Sequence, residues 1–148
     1  MRIGASTSAA LLVLAGCATG RVESDRTVKA APEIAEGRIT AELGRLGFRR
    51  TGGSAGVIDA ISDRSNLDWS SCPPVLVSAG DDRRVIASPR SRSASVEIAI
   101  GGAVASTTVS VTTRFVARYL NPTRGETFVR DCRSTGVLER RLLDAAAG

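Results

Sequence analysis

The segment from Thr107 to Leu120 alternates between apolar and polar side chains, and it restricts the fold more than any other part of the chain. In an extended strand Val109, Val111, Phe115, Ala117 and Tyr119 would share one face, and Ser110, Thr112, Arg114 and Arg118 would share the other. One buried and one solvated face are typical of an antiparallel sheet. The turn-forming residues 121–125 then predict a returning strand at 127–129.

Shorter strands are predicted upstream, at 56–61, 75–77, 85–87 and 95–100, because β-branched residues recur there between turn-forming residues. Gly101 and Gly102 are expected to end the strand at 95–100. Asp81 and Asp82 allow two interpretations, a turn between two strands or half of a metal or acid site. With no third ligand nearby in the sequence, the turn is the preferred interpretation.

Two amphipathic helices are predicted at the ends of the domain. Pro32 suits a first helical turn, and Gly47 suits the end of the helix. The apolar stripe of the first helix comprises Ala35, Ile39, Leu43 and Leu46. The stripe of the second comprises Leu138, Leu142 and either Ala145 or Ala146, with Leu143 beside it. Ser134 or Thr135 is expected to cap the second helix. The pattern predicts an α+β fold, in which both helices pack on one face of an antiparallel sheet over residues 32–148.

A short apolar run after Arg2 ends in Leu14-Ala15-Gly16-Cys17. The run is too short to span a bilayer as a helix, and it has the composition of an export signal. Leu14-Ala15-Gly16-Cys17 resembles the lipobox of bacterial lipoproteins. The resemblance implies cleavage after residue 16 and attachment of fatty acyl chains, such as palmitate, to Cys17. Residues 17–31 would then form a tether with a taut limit of about 45 Å, interrupted at most by a short strand at residues 27 and 28.

The same resemblance implies a location in the cell envelope. Ala18 stands where an aspartate often retains lipoproteins in the inner membrane, so the implied location is the outer membrane, facing the periplasm. The order helix, strands, helix also resembles helix-grip domains of some envelope lipoproteins, such as accessory lipoproteins of outer-membrane barrel assembly. That second resemblance concerns the fold alone and implies no function.

Once Cys17 carries lipid, Cys72 and Cys132 remain as an even pair in an oxidising compartment, and a disulfide between them is expected. Trp69, three residues before Cys72, is interpreted as a core residue packing on that disulfide. The alternative is an exposed aromatic ring that contacts a sugar or a partner.

Several kinds of chemistry lack their usual residues. The chain has no histidine, the commonest general base and metal ligand. Serine nucleophiles would have only Lys29 as a basic partner, and residues 51–54 lack the lysine and the spacing of a phosphate-binding loop. We therefore expect no metal, no cofactor and no enzymatic activity, although a hydrolase that uses carboxylates alone stays a third hypothesis.

The arginines supply the candidate contact residues for an anion or a partner: Arg83, Arg84, Arg90, Arg92, Arg114 and Arg118. The first four form a cationic stretch expected in one loop, and the last two lie on the solvated face of the long strand, where Arg130 is expected to join them. An alternative is that these are ordinary solvent-facing residues. Nucleic acid is not an expected partner in the compartment that the resemblance implies, and the cationic stretch lacks interleaved aromatic residues for base stacking.

These observations lead to a non-catalytic envelope lipoprotein, anchored in the membrane through Cys17. Its expected role is that of an accessory or structural component that binds another envelope protein. The alternative is a module that binds anionic lipid or glycan through the arginines. Arginine contacts of that kind weaken steeply with salt, whereas an apolar protein interface does not.

Overall fold

The computed structural model describes residues 22–148, so the lipobox and Cys17 lie outside the described residues. The elements are β1 (Asp25–Val28), α1 (Pro32–Arg45), β2 (Arg49–Gly52), β3 (Val57–Ser62), a 3₁₀ turn (Leu67–Trp69), β4 (Ser70–Ser71), β5 (Val75–Ser78), β6 (Arg84–Ala87), β7 (Pro89–Ala103), β8 (Ser106–Leu120), β9 (Thr127–Ser134) and α2 (Val137–Ala147). The predicted α+β class, with an antiparallel sheet, two helices and one disulfide, is confirmed.

The long hairpin of β7 and β8 forms the centre of the main sheet. Among the described residues the strand order is β2-β3-β7-β8-β9-β4, and β1 pairs with the first half of β8 on the same side as β9. The predicted end of the strand at Gly101 and Gly102 is wrong, because β7 continues to Ala103. Gly102 has a φ of 121°, and a Cβ there would collide with the Ser106 carbonyl oxygen, so glycine allows the hairpin to stay paired.

Part of the segment predicted as a tether is a strand of the sheet. Asp25 pairs with Ser110 and accepts a hydrogen bond from its hydroxyl at 2.7 Å, while Val28 is buried in the core. Val22 reaches the start of α2, where its Cγ1 lies 3.2 Å from the position that a Cβ on Gly136 would occupy. The short strand allowed at residues 27 and 28 is therefore present, and it begins two residues earlier, at the charged Asp25 and Arg26. The described chain therefore meets the domain about ten residues earlier than predicted.

Both helices bury most of their predicted stripes against the sheet. Leu46 is the exception, because it follows the last residue of α1 and packs on the core while only partly buried. Ala35, Ile39 and Leu43 of α1 and Leu138, Leu142 and Leu143 of α2 are buried, together with residues of β3, β7 and β8. The predicted cap of α2 is wrong, because neither Ser134 nor Thr135 is the N-cap. Gly136 takes that position with a left-handed φ of 80°, and the Ser134 hydroxyl donates instead to the buried carboxylate of Glu139.

Beside the helices, the small hairpin of β5 and β6 covers the end of the same sheet face. Val75, Val77 and Ala87 pack there against Ala117 and Tyr119. The predicted disulfide between the cysteines at 72 and 132 is confirmed and links this layer to β9.

Trp69 is only 4% exposed, so its interpretation as a core residue is confirmed. Its ring stacks on Phe48 at 5.7 Å between centroids, in the core between the helices and the sheet. Within residues 22–148, neither helix has the length and apolar character needed to cross a membrane.

Candidate interaction surfaces

The face of the main sheet opposite the helices is called the open face, since no described element packs on it. Its side chains alternate with the buried ones along each strand, as the register shows. A shallow depression of about 260 Å³ lies at its centre. Its lining includes Thr51, Asp59, Ile61, Ser95, Glu97, Thr112 and Arg114. The predicted solvated side of β8 thus belongs to a broad, polar surface.

Two carboxylates oppose each other directly on this open face. Asp59 of β3 pairs with Glu97 of β7, which places their side chains on the same side of adjacent strands. Within residues 22–148 neither carboxylate makes a hydrogen bond or an ion pair. Like charges in this arrangement destabilise a sheet. The pair is a place where a positive group from outside the domain would be favourable, and the sequence could not identify it because the register between the strands is not local.

Arg114 and Arg118 both lie on the open face, as predicted. Arg114 forms an ion pair with Asp131 of β9, with Nη2 at 2.9 Å from the carboxylate. The prediction that Arg130 joins them is wrong. Arg130 pairs with Ala117, on the helix-bearing side, and its guanidinium lies 5.8 Å from the centre of the Phe128 ring. A one-residue shift in register reverses the face, and the strand's own pattern did not fix it.

The four arginines from 83 to 92 do not form one loop, contrary to the prediction. Arg83 follows the turn of the small hairpin and Arg84 begins β6, whereas Arg90 and Arg92 belong to β7. The turn interpretation of Asp81 and Asp82 is confirmed, since both have positive φ values, 44° and 58°.

Arg90 and Arg92 line a second cleft, of about 350 Å³, together with Arg64 and Leu67. Arg92 is half-buried and donates from Nη1 to the Ser70 carbonyl at 3.4 Å. The guanidinium groups of Arg64 and Arg90 make no hydrogen bond or ion pair within the described part of the chain. The cleft therefore combines the unpaired positive charge of Arg64 and Arg90 with one carboxylate, Asp63, and with an apolar side chain that is 69% exposed, Leu67.

A third charged cluster joins the two helices on their outer side. Glu42 of α1 is buried and accepts from Arg141 Nε at 2.6 Å and from Arg45 Nη1 at 2.7 Å. Arg38 donates to the Ala147 carbonyl at the end of α2. The cluster lies in an open groove of about 540 Å³ between the antiparallel helices. Since each group already has a partner, this cluster serves the packing of the helices.

Glu42 makes the stability of the domain depend on pH. The hydrogen bond from Arg141 lowers the pKa of this carboxyl below its ordinary value of 4.5, burial opposes the shift, and Arg45 adds to the lowering. Because the folded-state pKa is the lower one, the stabilisation is fully present above pH 4.5 and is lost as the pH falls through the folded-state pKa. We expect Glu42→Gln to lower the free energy of unfolding by about 1 kcal/mol at neutral pH.

The same variant should also flatten the acid side of the stability profile. Urea unfolding at neutral and acid pH measures both effects. Glu126→Gln, at an exposed position without a side-chain partner in the described residues, is the control and should behave like the wild type. If the free energy of unfolding of Glu42→Gln still fell at acid pH as much as that of the wild type, other carboxyls would be responsible for the fall.

No group of three or more Cys, Asp or Glu side chains in residues 22–148 is arranged to hold a metal ion. Both cysteines in that range are bonded to each other. A comparison with models of known protein families gives no match, and a comparison with characterised proteins gives none either. The surfaces described above are therefore the basis for any functional argument.

Proposed function

We propose that this chain is a non-catalytic lipoprotein of the cell envelope, anchored through Cys17, whose open face binds another envelope protein. The lipobox motif supports the anchor. The observation that supports a protein partner is the mixed charge of the open face. The unpaired Asp59 and Glu97 lie on β3 and β7, while Arg114 and Arg118 lie on β8.

Mixed charge favours a protein over an anionic lipid or glycan at this face. A phosphate-rich surface would be repelled by the two carboxylates, and one of the two arginines, Arg114, is already held by Asp131. A partner with a basic side chain opposite Asp59 and Glu97 relieves the repulsion between them, and acidic groups of the partner fit Arg118. Complementary charges of this kind fix the orientation of two proteins and speed their encounter.

Photo-crosslinking in intact cells tests the proposal. A photoreactive residue replaces Thr112, which is exposed and lines the central depression of the open face. We expect one dominant protein adduct. Adding Glu97→Arg should reduce that adduct at least about tenfold. The substitution places a positive charge opposite the partner's basic side chain, and like charges facing each other across an interface weaken binding by several kcal/mol. A photoreactive residue at Arg124, in the exposed turn between β8 and β9, is the control and should give no such adduct.

Two results would contradict the proposal. One is the same set of adducts from positions 112 and 124, which would indicate random encounter. The other is capture of lipid or glycan without protein at position 112, which would favour the alternative module for anionic ligands. The Glu97→Arg variant must also unfold at the same temperature as the wild type, so that a loss of the adduct is not due to a loss of the fold. Mass spectrometry of the mature N-terminus separately tests acylation of Cys17.

A further inference from the structure

The point at which the chain enters the domain lies beside the 3₁₀ turn. Val22 packs at Gly136. Thr135, which precedes Gly136, donates from its backbone N–H to the carbonyl of Trp69 in the 3₁₀ turn at 3.1 Å. Only residues 18–21 separate Val22 from Cys17. Five Cα–Cα steps span at most about 18 Å. A lipidated Cys17 would thus hold this part of the surface within about 18 Å of the leaflet. A tether that extended to residue 31 would allow about 45 Å.

The layer on this side of the molecule exposes its largest apolar side chains away from the sheet. Leu67 is 69% exposed, in the 3₁₀ turn that packs on α2. Leu76 and Ile86 are 64% and 65% exposed and oppose each other directly on the small hairpin. The other side of that hairpin packs on Ala117 and Tyr119, so this pair faces outward from the helix-bearing layer.

Positive charge without a partner accompanies these apolar side chains. Arg64 and Arg90 line the cleft beside Leu67, and Arg84 is next but one to Ile86 in β6. Apolar residues mixed with arginines suit the boundary between headgroups and acyl chains, where guanidinium groups contact phosphates. Leu67 lies in the 3₁₀ turn and the other two apolar residues lie on the small hairpin, and each of these segments has arginines beside its apolar side chains.

We propose that this outer side of the helix-bearing layer lies on the leaflet that holds Cys17. Leu67, Leu76 and Ile86 enter the interface, and Arg64, Arg84 and Arg90 contact lipid phosphates. The inference rests on the anchor in the proposed function and adds an orientation to it. The open face then points away from the membrane, where a partner can reach it.

Fluorescence quenching in reconstituted vesicles tests this orientation. The full-length lipidated protein carries either Leu76→Trp or the matched control Val129→Trp, which is 56% exposed on β9 and lies on the open face. Trp69 is buried in both and gives a constant background. The vesicles contain phosphatidylethanolamine with a minority of phosphatidylglycerol, and their acyl chains are brominated. We expect the added emission of Leu76→Trp to fall by about half or more, and that of Val129→Trp to be unchanged, because interfacial insertion reaches only about 5–10 Å.

Each other outcome has a defined meaning. Protein that does not sediment with the vesicles contradicts the anchor itself, and with it the proposed function. Protein that sediments but shows equal quenching at both positions, or none at position 76, overturns the orientation and leaves the anchor intact. Quenching at position 129 alone would show that the open face lies on the membrane. Adding Arg64→Gln and Arg90→Gln to Leu76→Trp should weaken the quenching of the added tryptophan. Quenching as strong as in Leu76→Trp alone would show that these two arginines do not contribute to the membrane contact.

Discussion

Replacing Cys132 with serine is expected to lower the free energy of unfolding by about 4 kcal/mol, the largest effect anticipated for a single substitution outside the hydrophobic core. The disulfide joins residues 60 positions apart, and a cross-link over a loop of that length removes much of the entropy of the unfolded chain. Urea unfolding of the exported protein measures the loss. The small hairpin of β5 and β6 should also exchange its amide hydrogens sooner than the main sheet.

The double variant Cys72→Ser/Cys132→Ser is the matched control. Because the same cross-link is absent from both variants, their stabilities should agree within about 1 kcal/mol. Treating the wild type with a thiol reductant should produce the same change. Two free thiols in the untreated exported protein would overturn the prediction and the disulfide with it.

Replacing Trp69 with alanine is expected to cost about 3–5 kcal/mol, the range for an aromatic side chain removed from a core. Trp69 is 4% exposed, and its indole ring stacks on Phe48 in the core between the helices and the sheet. Thermal or urea unfolding monitored by circular dichroism measures the effect, since the only tryptophan is lost in this variant.

Leu67→Ala, two residues earlier in the same 3₁₀ turn, provides the contrast. Its side chain is mostly exposed, so the free energy of unfolding should change by no more than about 0.5 kcal/mol. A large loss from Leu67→Ala would mean that this side chain supports the fold, and it would remove it from the proposed membrane contact. A small loss from Trp69→Ala would contradict the assignment of the ring to the core.

Local patterns predicted those elements whose buried face is repeated many times along the chain. The stripe of Ala35, Ile39 and Leu43 identified α1, and the alternation in β8 identified one of the two longest strands with its correct faces. Because the apolar positions recur several times in each element, a single residue that departs from the pattern does not change the prediction. Strand β1 offered only four residues, two of them charged, and its stability comes from pairing with β8, whose paired residues are distant in the sequence (Asp25 pairs with Ser110). The pattern of so short an edge strand carries little information.

The candidate surfaces were harder to predict, because they depend on register between distant strands. Asp59 and Glu97 meet only through the pairing of β3 with β7, and Arg130 departs from Arg114 only through the pairing of β8 with β9. The cationic stretch from Arg83 to Arg92 looked continuous in the sequence, yet it spans a hairpin strand and the start of the central hairpin. The fold therefore divides charge that is adjacent along the chain between two strands of different sheets.

The edge strand β1 also determines how the domain would respond to tension. With Cys17 as the anchor, any force between the membrane and a bound partner passes first through β1, which holds to β8 by four residue pairs. The guanidinium of Arg26 reinforces this attachment, bridging Glu23 at 2.8 Å and Asp144 of α2 at 2.6 Å. A pull across the sheet opens the pairs one after another, whereas a pull along the strand shears them together. In a domain that lies flat on the leaflet with its partner on the open face, a pull normal to the membrane is also normal to the sheet. Such a pull opens the four β1 pairs one after another, so the bridge from Arg26 to Asp144 of α2 is an additional restraint at this point of the chain.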